Sequence, residues 1–162
     1  MSDFPADETK VLKLISQRIM KFICADNSII KKVKSEFGEE QAECLHFNNG
    51  FTYIALDGEK IAGFVSAHIE KLPYPVNKME SYIDIVEVKT EYRRRGIAKK
   101  LLNLAEKESK KLGMYQIRAW SSEDKKEAIV MWQKLRFCLH PQEIISAVTK
   151  KPVRGYFAIK IL

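Results

Sequence analysis

The sequence predicts a single α/β domain spanning 1–162, and three observations carry that reading. Apolar residues recur at helical spacing through the first third of the chain. A period-two hairpin follows, and strand-like and helix-like segments then alternate to the end. No repeat, low-complexity tract or linker divides the chain.

The elements follow in order. After Pro5, Asp7 is the expected N-cap of a helix carrying Val11, Leu12, Ile15, Ile19, Phe22 and Ile23. Asn27 or Ser28 caps a second helix with Ile29, Ile30, Val33 and Phe37, which Gly38 ends. A third short piece over 39–47 stops at the turn Asn48-Asn49-Gly50. Segments 51–56 and 61–69 read as strands joined by a tight turn at Asp57-Gly58, and 70–80, with Pro73 and Pro75, as an irregular loop. Strand 81–88 alternates so that Tyr82, Asp84, Val86 and Val88 share one face and Ile83, Ile85 and Glu87 the other. A helix over about 94–112 carries an apolar stripe at Ile97, Ala98, Leu101, Leu102 and Ala105, and Gly113 ends it. Segment 114–120 is a strand, and 128–135 a helix with Met131 and Trp132 on its apolar side. Segments 136–139 and 156–161 are the last strands, with an ambiguous stretch between them.

Composition narrows the class. With 46% hydrophobic and 30% charged residues the chain is globular rather than disordered. Three cysteines, Cys24, Cys44 and Cys138, without Cys-x-x-Cys spacing argue against a disulfide framework and a zinc site. The polar, acidic first ten residues exclude a signal peptide, and no apolar run approaches the roughly 20 residues of a membrane span. A soluble, cytoplasmic protein is expected. The net charge of +7 is concentrated: residues 89–111 hold nine basic side chains (89, 93–95, 99, 100, 107, 110, 111) against three acidic ones (91, 106, 108). Such concentration favours a compact anionic ligand over a long polyanion, and no nucleic-acid motif is present.

The centre of that charge is the turn Arg93-Arg94-Arg95-Gly96-Ile97-Ala98, between a strand and a helix. Gly96 lets the main chain approach phosphate oxygens with no Cβ in the way. The N–H groups of about Arg94 to Lys99 supply donors at a positive helix end, and Arg93, Arg95, Lys99 or Lys100 supply charge. The turn is suited to hold a pyrophosphate.

Val88, four residues, then Arg93 to Ala98 followed by Leu101-Leu102 resembles the acetyl-CoA-binding signature of the GNAT N-acetyltransferases. The preceding hairpin and the later Ala128-x-x-x-Trp132-x-x-x-x-Phe137 block agree, and the likeness covers roughly 51–137. It implies a GNAT fold: a mixed central sheet with splayed central strands, flanked by helices. It also implies acetyl-CoA as acyl donor, no metal, and direct transfer of acetyl to a primary amine of a small molecule or protein. By this likeness Val86 and Val88 bind the pantetheine arm through their main chain, and residues Arg93, Arg94, Arg95, Gly96, Ile97, Ala98 and Lys99 bind the diphosphate. Asp84, with Tyr82 as the other candidate, is the expected base or orients its water. Trp132 stands where the family commonly has a tyrosine that protonates the departing thiolate, and an indole N–H is a very poor acid. Two further departures are Lys125, where asparagine is usual, and Arg136, where glycine precedes the phenylalanine. A CoA-binding module without catalysis is the alternative that Trp132 motivates. Neither a membrane nor nucleic acid is an expected partner, and a homodimer is left open.

The remaining candidates weigh less. His68 reads as a hydrogen-bonded strand histidine, or else as a base near the cleft. His46 and His140 have no metal-ligand partners at useful spacing, and Cys138 reads as a small buried hydrophobe.

Overall fold

The computed structural model describes residues 19–162. The expected first helix lies outside the described residues up to position 18, and its end is corrected: Lys21–Ala25 is a strand, β1. Phe22 and Ile23 suit an extended chain, and pairing from Lys21↔Leu56 to Ala25↔Thr52 gives that strand hydrogen-bond partners which a local pattern cannot reveal. Asp26, rather than Asn27 or Ser28, is the cap that follows. Its carboxylate accepts from the Ser28 N–H at 2.9 Å, and a 3-10 turn over Asn27–Ile29 runs into α1, Ile30–Phe37. The short α2 is Glu39–Glu43.

The hairpin is β2, Gly50–Asp57, and β3, Lys60–Lys71, with Gly58 and Glu59 between the paired Asp57 and Lys60. Next come β4, Met79–Val88, and α3, Ile97–Lys111. The chain then forms β5, Gln116–Ser122, α4, Lys126–Lys134, β6, Cys138–Ile145, and β7, Pro152–Ile161. The strand expected at 136–139 therefore starts later and runs longer. The seven strands form one mixed sheet in the order β1-β2-β3-β4-β5-β7-β6, in which β4 and β5 are parallel and the other neighbours antiparallel.

Two apolar layers sandwich the sheet. On one face Ile97, Leu101, Leu102 and Ala105 of α3 pack with Phe51, Val65, Ile83, Ile117 and Trp132. On the other, Val33 of α1 and Ala42 of α2 pack with Ile54, Ile61 and Phe64. Burying each large aliphatic or aromatic side chain contributes about 1.5–3 kcal/mol, so the two layers fix which way every strand faces.

A bulge in β4 changes that facing. Ser66 lies opposite Ile85 and Ala67 opposite Ile83, so Asp84 has no opposite residue. The extra residue reverses the alternation. Ile83, Val86 and Val88 pack toward α3, whereas Ile85 packs toward α1 and Tyr82 sits opposite His68. The single face expected for Tyr82, Asp84, Val86 and Val88 is thus corrected: Tyr82 and the two valines lie on opposite sides.

Candidate active site

The two parallel strands meet only briefly. β4 and β5 pair from Glu80↔Gln116 to Ile83↔Ala119, and the remainder of each is unpaired with the other. A buried polar network holds the joined part. Glu80, fully buried, accepts from Gln116 Nε2 at 2.6 Å and from Arg118 Nε at 3.0 Å. Arg118 also donates to Glu70 Oε1 at 2.9 Å, and its guanidinium lies 5.0 and 4.9 Å from the rings of Tyr82 and Phe157. The carboxylate is buried because its charge and lone pairs are met there. Past Ile83 the released half of β4 opens onto a cleft of about 1010 Å³, lined by Val86 and Val88 on one side and by Ala128 and Met131 of α4 on the other.

The basic turn heads this cleft. The Lys89 N–H donates to Ala62 O at 2.9 Å, and the chain then closes a 3-10 turn over Thr90–Tyr92. Buried Tyr92 donates its hydroxyl proton to Asp57 Oδ2 at 2.9 Å, which fastens the turn to the hairpin. Arg94 (φ +64°) and Gly96 (φ +76°) both take the left-handed conformation. Such residues turn neighbouring N–H groups toward one point. The Lys100 N–H is bonded to Gly96 O at 3.0 Å, so the N–H groups of Ile97, Ala98 and Lys99 precede the first donor of the helix ladder.

The basic side chains divide into two sets. Arg93 donates from Nε to Val88 O at 3.1 Å and lies 3.7 Å from Glu87. Arg95 donates to Glu91 O at 2.9 Å with its guanidinium 5.3 Å from the Tyr92 ring, and Lys100 lies 4.3 Å from the ring of Phe22. These three brace the turn. Exposed Arg94 and Lys99 line the cleft together with Arg93, Gly96, Ile97 and Ala98, and Arg95 does not. Lys125, Lys126 and Lys134 stand on the opposite wall; sequence reading noted Lys125 only as a departure and missed the others, because their helix pattern says nothing of which wall they face.

Asp84 lies just past the last β4–β5 pair, with its Oδ2 2.6 Å from His68 Nδ1 and 3.0 Å from His46 Nε2. Burial works against a charged His68, but the Asp84 carboxylate, with Glu70 beyond it, outweighs this and raises its pKa. The Tyr82 ring packs 5.3 Å from His68, and burial raises the phenol against the pull of Arg118, so the hydroxyl stays protonated at neutral pH. His46 is the residue missed in the sequence. Its N–H donates to Ser66 Oγ at 2.8 Å and its C=O accepts from Thr52 Oγ1 at 2.9 Å, anchors far along the chain. The argument that His46 lacks ligand partners fails for the same reason, since chain spacing does not see strand register. His140 stays apart and exposed, and Cys138 is exposed on β6 rather than buried.

Trp132 is not brought to the cleft. It is 2% exposed, donates from Nε1 to Ser121 Oγ at 2.9 Å, and packs 4.9 Å from the Phe137 ring.

A family model described as Acetyltransferase (GNAT) family matches residues 18–137. This chain belongs to the GNAT family. Among solved structures, it is similar to Arabidopsis thaliana NAA60 in complex with acetyl-CoA (19% identity, 89% of this chain and 99% of that one, TM-score 0.73). It is also similar to Arabidopsis thaliana Naa50 in complex with the bisubstrate analogue CoA-Ac-MVNAL (19% identity, 88% and 99%, TM-score 0.70). A third likeness is to the ribosomal-protein-S18-alanine N-acetyltransferase of Escherichia coli (12% identity, 88% and 94%, TM-score 0.68). At these identities the likeness shows the GNAT fold. Among curated proteins none matches the sequence significantly.

One departure of this GNAT chain now has a physical reading. Arg136 follows the last residue of α4's C-terminal turn with φ +64°, so the position asks for a left-handed backbone that glycine adopts without strain. The family glycine at this point answers that demand, and here an arginine meets it at a cost of about 1–2 kcal/mol.

Proposed function

We propose that the chain transfers an acetyl group from acetyl-CoA to a primary amine by direct attack within a ternary complex. The observation that carries this is the cleft that begins at the left-handed pair Arg94 and Gly96 and follows the unpaired half of β4. Its head suits a diphosphate, through the N–H groups of Gly96 to Lys99 and the charges of Arg94 and Lys99. Arg93 and Arg95 contribute by holding the turn's shape. Val86 and Val88 offer main-chain groups to the amide-bearing pantetheine arm, which brings the thioester toward Asp84.

In the reaction the amine lone pair attacks the thioester carbon. A C–N bond forms, the C–S bond breaks, and the sulfur leaves as thiolate. The N–H of Val86 or Val88 is the proposed donor to the oxyanion. Asp84 accepts the amine proton, directly or through water, and its charge attracts a cationic amine. The neutral Tyr82 hydroxyl is the proposed donor to the thiolate, since Trp132 is committed to Ser121. The acceptor bears a primary amine. The peptide-based analogue bound to Naa50 and the S18-alanine specificity of the bacterial enzyme make a peptide α-amine the first class to test.

The test is calorimetric and chemical. Acetyl-CoA at 100 times its Kd should stabilise the protein by about 2.7 kcal/mol, and incubation with a pool of unblocked peptides should yield N-acetylated products by mass spectrometry. No thermal shift at millimolar acetyl-CoA defeats the proposal. A shift with no product from any amine pool supports the alternative, a CoA-binding module without turnover.

A further inference from the structure

We infer that His46, His68 and Asp84 form a binding site for a divalent transition-metal ion of the zinc class, whose occupation would take Asp84 out of the proton-accepting role proposed above. The ligand atoms, His46 Nε2, His68 Nδ1 and Asp84 Oδ2, all lie within 4.8 Å of one another. They come from three separate elements: the segment before β2, the strand β3, and the bulge of β4. Each is fixed by backbone structure. His46 is tied to Ser66 and Thr52 at 2.8 and 2.9 Å, and Asp84 is pushed out of the ladder as the unopposed residue.

The outer nitrogens decide what the inner ones present. His46 Nδ1 is 3.3 Å from Asn49 Oδ1, and His68 Nε2 is 3.5 Å from Glu70 Oε2. Both outer partners are acceptors, so each ring is able to hold its proton on the outer nitrogen and present the inner nitrogen to an ion beside Asp84. Second-shell acceptors on the far ring nitrogen are the usual way a ligating histidine is oriented. With an ion bound, two imidazole nitrogens and one carboxylate oxygen converge on it; without one, the 2.6 and 3.0 Å contacts are hydrogen bonds from the rings to Asp84.

The surrounding charge favours one. Asp84, Glu70 and Glu80 face a single guanidinium, Arg118, which bonds both glutamates. With both imidazoles neutral, as ligands must be, two negative charges are left over, which a divalent ion balances. Two imidazoles and one carboxylate suit zinc or its neighbours and disfavour magnesium and calcium, which take oxygen ligands. Bonds of about 2.0–2.1 Å in a tetrahedron set ligand atoms about 3.3 Å apart. The inner nitrogens, at 2.6 and 3.0 Å from Oδ2, would move out from it by about 0.7 and 0.3 Å to reach that spacing. Each side chain is 23% exposed, which leaves an entry path and a fourth position for water.

The test uses tag-free, chelator-treated full-length protein and does not depend on acetyl transfer. Titration with Co²⁺ at neutral pH should produce the intense visible bands of a four- or five-coordinate ion at one equivalent, and Zn²⁺ should abolish them. His46→Ala, His68→Ala and Asp84→Asn should each weaken Zn²⁺ by about tenfold or more in competition with a chromophoric chelator. His140→Ala should bind as wild type. Folding of each variant is checked by circular dichroism, and the wild-type cobalt spectrum decides the matter even if a variant fails to fold. A pale, octahedral spectrum at millimolar Co²⁺, or one-equivalent binding that survives in folded His46→Ala/His68→Ala, overturns the inference; the first result means that protons alone join the cluster.

Discussion

Gly96→Ala and Gly113→Ala form a matched pair at the two ends of α3. Both glycines have positive φ, +76° and +72°, and a Cβ added at either meets nothing within 4 Å. Each alanine therefore carries the same left-handed penalty of about 1–2 kcal/mol. A less flexible unfolded chain offsets about 0.4–1 kcal/mol of it. The net loss of about 1 kcal/mol corresponds to about 2–4 °C in Tm for a domain of this size, and scanning calorimetry should find the two variants alike. They should differ only toward ligand. The new methyl at 96 stands in space assigned above to a phosphate oxygen, whereas that at 113 lies at the far end of the helix. Isothermal titration should show CoA binding at least tenfold weaker for Gly96→Ala, about 1.4 kcal/mol, and unchanged for Gly113→Ala. Equal CoA affinity in the two variants refutes the diphosphate assignment. A Tm loss several times larger at 96 refutes the reasoning about open space.

Three other outcomes are expected. Arg118→Met strands the buried Glu80 carboxylate and should cost about 3–5 kcal/mol in urea denaturation; a loss below about 1 kcal/mol contradicts the network described where β4 and β5 pair. Arg136→Gly relieves about 1–2 kcal/mol of left-handed strain, less about 0.4–1 kcal/mol for the freer unfolded chain, and should raise Tm by about 2–4 °C; an unchanged Tm in calorimetry argues against that conformation. Burial opposes ionisation of Glu106, but Lys110 and Lys160 (2.7 and 2.6 Å) hold its carboxyl below the usual range. A depressed folded value gives stability that is present above the unfolded pKa, about 4.3, and lost as pH falls through the folded one. The Tm gap between wild type and Glu106→Gln should thus close as pH drops below about 4, and a gap independent of pH counts against the pairing.

What the sequence discloses is what local pattern controls. The hairpin, the basic turn and the stripe of α3 were legible because period-two alternation, Gly96 and the spacing of Ile97, Leu101, Leu102 and Ala105 are properties of contiguous residues. β1 was not, since Phe22 and Ile23 satisfy helical and extended patterns alike and only pairing with β2 decides between them. The bulge at Asp84 was invisible for a related reason: alternation assumes an uninterrupted ladder, and the interruption is set by register against Ser66 and Ala67. His46 reaches Asp84 through anchors on Thr52 and Ser66, so nothing in its own neighbourhood marks it. The roles of Arg93 and Arg95 were half legible. Their charge was plain, but their use in bracing the turn depends on the carbonyls of Val88 and Glu91.

The early parting of β4 and β5 leaves main-chain groups bare in the interior of a sheet rather than at its rim. A bare strand is a template for any extended polypeptide, including another molecule's, and proteins usually shield such templates. Such a seam is one that an arm with amide groups would occupy as if it were an eighth strand. If the acyl donor proposed above lies along that edge, it competes there with self-association, and purified material should clump less when kept with CoA.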